Sequence, residues 1–150
     1  MIQTKYLSAY RRERYEWCVP GQPIPAPRLT QVSAHHPVIP RGYYAFKERV
    51  VAVLLDTYPS EPLFPRHIVQ SKHPFVFRPK RDGVTAILEY SLFMAKAKTG
   101  NCVHGDPDNI AKAILDALFV DDRHVLPRCL GLSCGVEMPH VTIAVTLVGA

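Results

Sequence analysis

Residues 106–120 read Asp106-Pro107-Asp108-Asn109-Ile110-Ala111-Lys112-Ala113-Ile114-Leu115-Asp116-Ala117-Leu118-Phe119-Val120. Ile110, Ile114, Leu115 and Leu118 recur at the spacing of one helix face, which predicts an amphipathic helix over 108–118 with that stripe turned to a core. Asp106 or Asp108 supplies the N-cap, and Pro107 fits the first turn, where its missing N–H has no partner to lose. The flanking segments follow the other period. In 84–95, VTAILEYSLFMA, Leu88, Tyr90, Leu92 and Met94 share one face while Glu89 and Ser91 take the other. In 140–148, Val141, Ile143, Val145 and Leu147 alternate with Thr142, Ala144 and Thr146, the pattern of a sheet with one wetter face.

Working outward, further strands are expected at 14–19, 67–70 and 129–136. Phe46, Val50, Val51, Leu54 and Leu55 predict a helix from Tyr43 to about Tyr58, stopped by Pro59. Between the first strand and that helix, residues 20–42, PGQPIPAPRLTQVSAHHPVIPRG, carry too much proline for helix. Residues 1–13 read as an N-terminal extension. The order strand, helix, two strands, helix, two strands predicts a single α+β domain over 1–150, a mixed sheet packed against two main helices.

The chain has 150 residues, 47% of them hydrophobic, so a core large enough to stand without disulfides or a structural metal is available. No run approaches the ~20 apolar residues of a spanning helix, and the opening MIQTKYLSAYRRERYEW has no apolar signal region. A cytoplasmic protein without membrane contact is expected, with Cys18, Cys102, Cys129 and Cys134 reduced. Cys129 and Cys134 are expected in the core, because their spacing, with His104 and His124, does not match the paired ligands of a structural zinc site. No Gly-rich phosphate loop is present, so no nucleotide cofactor is expected.

The net charge of +5 divides unevenly: +5 over residues 1–50, +3 over 51–100 and −3 over 101–150. Five of the last third's six acids are aspartates between Asp106 and Asp122, with Lys112 the only base strictly between these two. A basic body holding a cluster of carboxylates fits an enzyme that acts on a polyanion through a divalent cation. Asp108, Lys112 and Asp116 stand at i, i+4 and i+8 on one side of the predicted helix. The plainer reading makes Asp106 and Asp108 caps, Asp108–Lys112 an exposed ion pair, and Asp121–Asp122 a turn. A calcium-binding EF-hand loop from Asp106 fails at Ile110, at Ala111 where glycine is needed, and at Ala117 where glutamate is needed.

The stretch resembles the RusA-type Holliday junction resolvases, whose pattern D-x-D-N-x-x-K, L-D-A-L and D-D stands here as Asp106 to Lys112, Leu115 to Leu118 and Asp121-Asp122. The family's proline motif is similar to Gly21-Gln22-Pro23-Ile24-Pro25-Ala26-Pro27-Arg28. The resemblance implies a homodimeric, Mg²⁺-dependent endodeoxyribonuclease, with Mn²⁺ substituting, that nicks four-way DNA junctions and leaves a 5′-phosphate and a 3′-hydroxyl. It implies Asp106, Asp108 and Asp122 as metal-binding carboxylates, Asp121 as an alternative, Lys112 as the catalytic lysine, and Asn109 and Asp116 as supporting groups. Branched DNA would meet Arg28, Lys47, Lys80 and Arg81. A junction-binding protein that has lost catalysis is the alternative, and an interaction module with a capped helix is a third.

Two departures from the family pattern shape the expectation. Ala26 stands where the family commonly has lysine, with Leu29-Thr30 in place of the second Pro-Arg. Only Phe119 and Val120 separate L-D-A-L from the Asp pair. A helix over 108–118 is ~15 Å long, and four more residues span at most ~14 Å. Asp122 therefore returns to Asp108 only if the helix frays near Leu115 or the chain reverses at once; otherwise its carboxylate is supplied across a dimer.

Overall fold

The computed structural model describes residues 12–27, 39–61, 76–77, 85–96, 107–119 and 122–148. They form a small α+β fold with the elements β1 (Arg14–Pro20), α1 (Tyr43–Thr57), β2 (Thr85–Met94), α2 (Pro107–Leu118), β3 (Val125–Cys134) and β4 (His140–Val148). The expected strand at 67–70 lies outside the described residues. No helix among the described residues is long and apolar enough to cross a membrane.

The four strands make one mixed sheet in the order β1-β4-β2-β3. β4 pairs antiparallel with β1, Trp17 opposite Ile143, and antiparallel with β2, Leu88 opposite Val145. β2 and β3 run parallel, Ala86 opposite Val125, which requires a crossover, and α2 supplies it. Alternation decides which side is covered. Tyr15, Val19, Leu88, Leu92, Val141 and Val145 are fully buried, as are Phe46, Val50 and Leu54 of α1 and Ile110, Ile114 and Leu118 of α2. The sheet's opposite face carries Glu16, Cys18, Glu89, Thr142 and Thr146, tied by Arg14, which bonds Glu16 at 2.5 Å, Glu89 at 2.9 Å and Thr146 at 3.0 Å.

β3 departs from the sequence reading. It starts at Val125, four residues earlier than expected, and every residue after Val125 is exposed. Leu126, Leu130 and Leu132 stand 45–58% open. The expected core positions of Cys129 and Cys134 are corrected accordingly: β3 is the edge strand of the sheet among the described residues, and alternation along it does not bury one face. Cys18 and Cys129 are free thiols, whereas Cys134 is disulfide-bonded, contrary to the expectation of reduced cysteines throughout.

Candidate functional site at the head of the second helix

α2 begins at Pro107, with Asp108 exposed in its first turn, where the unpaired N–H groups and the helix dipole favour a carboxylate. Lys112, one turn on, is exposed as well. Ion pairs join Arg14 to Glu16 and to Glu89, on the far side of the sheet.

The proline segment reaches this helix. Gly21 takes a left-handed φ of 97° as the chain leaves β1, and its N–H donates to the Pro139 carbonyl at 2.9 Å. Arg49 of α1 packs over it, donating to the Pro20 carbonyl at 3.2 Å and to the Gln22 carbonyl at 3.4 Å. A Cβ at Gly21 would meet that guanidinium at 3.1 Å, so both backbone and space select glycine. Further on, the Ala95 N–H donates to Gln22 Oε1 at 3.0 Å. The Ala26 N–H donates to the Asn109 carbonyl at 2.9 Å, and Asn109 Nδ2 donates back to the Ala26 carbonyl at 2.7 Å. Asn109 thus clamps the proline loop onto the head of α2 instead of capping its own helix. Ala26 is 1% exposed, so the position where a lysine was looked for is a packing position in this chain.

Asn109→Ala is expected to leave the Ala26 carbonyl without its side-chain donor and to lower stability by about 1 kcal/mol. Thermal unfolding should then show a midpoint about 2–4 °C lower. An unchanged midpoint would show that the clamp contributes nothing to stability.

Under the first turn, the Tyr90 hydroxyl lies 3.5 Å from the Pro107 carbonyl. Burial, with Cys129 and Asp108 adding to it, pushes this hydroxyl up to about 12. Further along α2, Tyr43 of α1 donates its hydroxyl to Asp116 Oδ2 at 3.1 Å, and burial, with Asp116 beside it, raises the Tyr43 pKa. Neither tyrosine was singled out for the site by the sequence reading, which placed Tyr90 on the apolar face of a strand and Tyr43 at the start of the first helix. The usable signal was that Tyr43 and Lys47 are four apart on one helix face.

Lys47 is corrected outright. Expected at the DNA surface, it is completely buried, with its ammonium 4.8 Å from the Tyr43 ring centre and 5.8 Å from that of Tyr44.

Asp122 is exposed in a turn closed by the Val125 N–H donating to its carbonyl at 3.0 Å. The helix before it does not fray near Leu115. It runs to Leu118, whose carbonyl accepts the N–H groups of Val76 at 2.9 Å and Phe77 at 2.6 Å, while the Phe119 N–H donates to Leu115 at 3.0 Å. These bonds satisfy the carbonyls a helix end leaves over. The turn holding Asp122 leads into Val125, opposite Ala86, whereas the head of α2 lies over Tyr90. Four strand residues separate those levels by ~13 Å. Within one chain, Asp122 and Asp108 stand at opposite ends of α2. Among the described residues, no three His, Cys, Asp or Glu side chains gather as a metal-holding group. Asp106, Asp121, Arg28, Lys80 and Arg81 lie outside the described residues.

Asp108, the described carboxylate at the head of α2, is exposed and offers oxygen donors, a chemistry suited to a hard divalent cation that takes only one or two carboxylates. No protein-family model matches the chain, and no curated protein matches it in sequence.

Proposed function

We propose that the protein is a Mg²⁺-dependent structure-specific endodeoxyribonuclease of RusA-like fold that cuts four-way DNA junctions as a homodimer in the cytoplasm. The observation that carries the reading is the Asn109–Ala26 clamp. It brings together two stretches more than 80 residues apart in sequence, the two on which the resemblance rests.

In this reading Asp108 and Asp106 hold the cation, which when bound stabilises charge developing on the phosphate. Lys112, exposed one turn along from Asp108, meets the phosphate oxygens and offsets the negative charge of the pentavalent transition state. Asn109 fixes the proline loop against the helix head, and Arg28, Lys80 and Arg81 track the DNA backbone. Asp122, remote from Asp108 in its own chain, serves the site of the partner subunit, and exposed β3 with Leu126, Leu130 and Leu132 is the face available for that pairing.

A synthetic four-way junction is expected to be nicked in Mg²⁺ and left intact in a chelator, with the linear duplex of the same sequence uncut. An absence of salt-dependent affinity for branched DNA would end the reading. Mixing Asp108→Asn protein with Asp122→Asn protein separates the two ways of building the site. Each variant alone should be inactive. The mixture should recover single nicks, because one of the two sites in a mixed dimer has both carboxylates intact. No recovery would place both carboxylates in one chain. The second reading, a junction-binding protein without catalysis, is favoured by the separation of Asp122 from Asp108 and predicts binding without nicking in either metal.

A further inference from the structure

Lys47 stands out once its expected role at the surface is withdrawn. Its side chain is completely buried, and its ammonium has no hydrogen-bond partner among the described residues. An ion held this way is among the costliest groups a protein interior can carry, and where volume alone matters an apolar side chain serves better. Around it stand the rings of Tyr43 and Tyr44 from its own helix. From α2 comes the charge of Asp116, the carboxylate that accepts the Tyr43 hydroxyl at 3.1 Å. The two aromatic faces attract the ammonium through their ring quadrupoles. The balance is still unfavourable: burial lowers the Lys47 pKa, and Asp116 draws it only part of the way back. A charge at this position therefore costs stability. Asp116 is one and two turns along α2 from Lys112 and Asp108, on their side of the helix.

We propose that Lys47 is a positioning residue, a buried counter-charge that holds Asp116 and Tyr43 together between the helices and so sets the rotation of α2 that presents Asp108 and Lys112. The inference deepens the nuclease reading and rests on it for what the site does, but the coupling between Lys47 and Asp116 can be read without any substrate.

The test uses the full chain with Lys47→Met, Asp116→Asn and both together. Thermal unfolding is expected to show Lys47→Met raised by about 2–4 °C. Asp116→Asn should shift the midpoint of the wild type and of Lys47→Met by different amounts, because the two side chains interact. Additive shifts, or a lower midpoint for Lys47→Met, would overturn the proposal in favour of a filler with no electrostatic task. With junction DNA and Mg²⁺, Lys47→Met is expected to lose about 10–100-fold in kcat, the range typical of groups that orient a metal site from behind, with KM for the junction little changed. A more stable variant with wild-type kcat would also overturn it. Should the wild type cut no branched DNA, the nuclease reading falls, and the unfolding cycle still decides whether Lys47 and Asp116 act as a pair.

Discussion

Asp108→Asn is expected to abolish metal-dependent nicking of a four-way junction, a fall in rate of about 10³-fold or more, while junction affinity stays within a few-fold of wild type. The substitution keeps the shape of the side chain and its ability to accept a hydrogen bond, and removes only the charge. Asp108 is exposed in the first turn of α2, so the helix loses about 0.3–1 kcal/mol of dipole interaction and remains folded. A cation held by one or two carboxylates supplies several kcal/mol of transition-state stabilisation. At about 1.4 kcal/mol per tenfold, losing that contribution accounts for the size of the effect. Gel-shift and cleavage assays on the same junction separate the two quantities. Cutting at the wild-type rate would refute the site, and a parallel loss of binding would move Asp108 from chemistry to DNA contact.

Ile114→Ala on the same helix should act on the fold instead. Its side chain is fully buried between α2 and the sheet. Removing it leaves a cavity that costs about 2–5 kcal/mol, a large share of the ~5–15 kcal/mol that holds a domain together. The unfolding midpoint should drop by about 2–4 °C for each kcal/mol lost. Lys112→Ala, two residues earlier and exposed, is expected to change stability by less than about 0.5 kcal/mol. Urea unfolding of both variants gives the contrast directly, and equal effects would mean that α2 presents a different face to the sheet.

The helix and strands that the sequence made legible are those whose burial follows a local period. Ile110, Ile114, Leu115 and Leu118 declare the inner face of α2, and Val141, Ile143, Val145 and Leu147 that of β4, because each element is covered along its whole length. β3 defeats the same logic: its cysteines read as core, yet it sits at the edge of the sheet and is exposed from Leu126 onward. Its parallel pairing with β2 is a matter of long-range packing that no local pattern carries. In the candidate site, residue identity pointed to Asp108 and Lys112, but not to the partners of Asn109 and Lys47. A lysine in the run Phe46-Lys47-Glu48-Arg49 reads as surface, and only the approach of α2 with Asp116 turns it inward. The end of α2 at Leu118 is where the spacing predicts it, but the donors that complete it, from Val76 and Phe77, lie far away in sequence and leave no local signal.

The place of β4 in the sheet has a consequence for how the chain matures. β4 is the last of the four strands in sequence, yet it lies between β1 and β2, and among the described residues β1 has no other neighbour in the sheet. While residues 140–148 are still within the ribosome, the β2–α2–β3 unit can assemble from local contacts, but Tyr15, Trp17 and Val19 have no ladder to join. Closing the sheet then pairs Arg14 with Thr146, a loop of more than 130 residues, the kind of non-local step that slows folding. Folding of this sheet is thus completed only after synthesis has passed β4, and until then the nascent protein carries an open apolar edge.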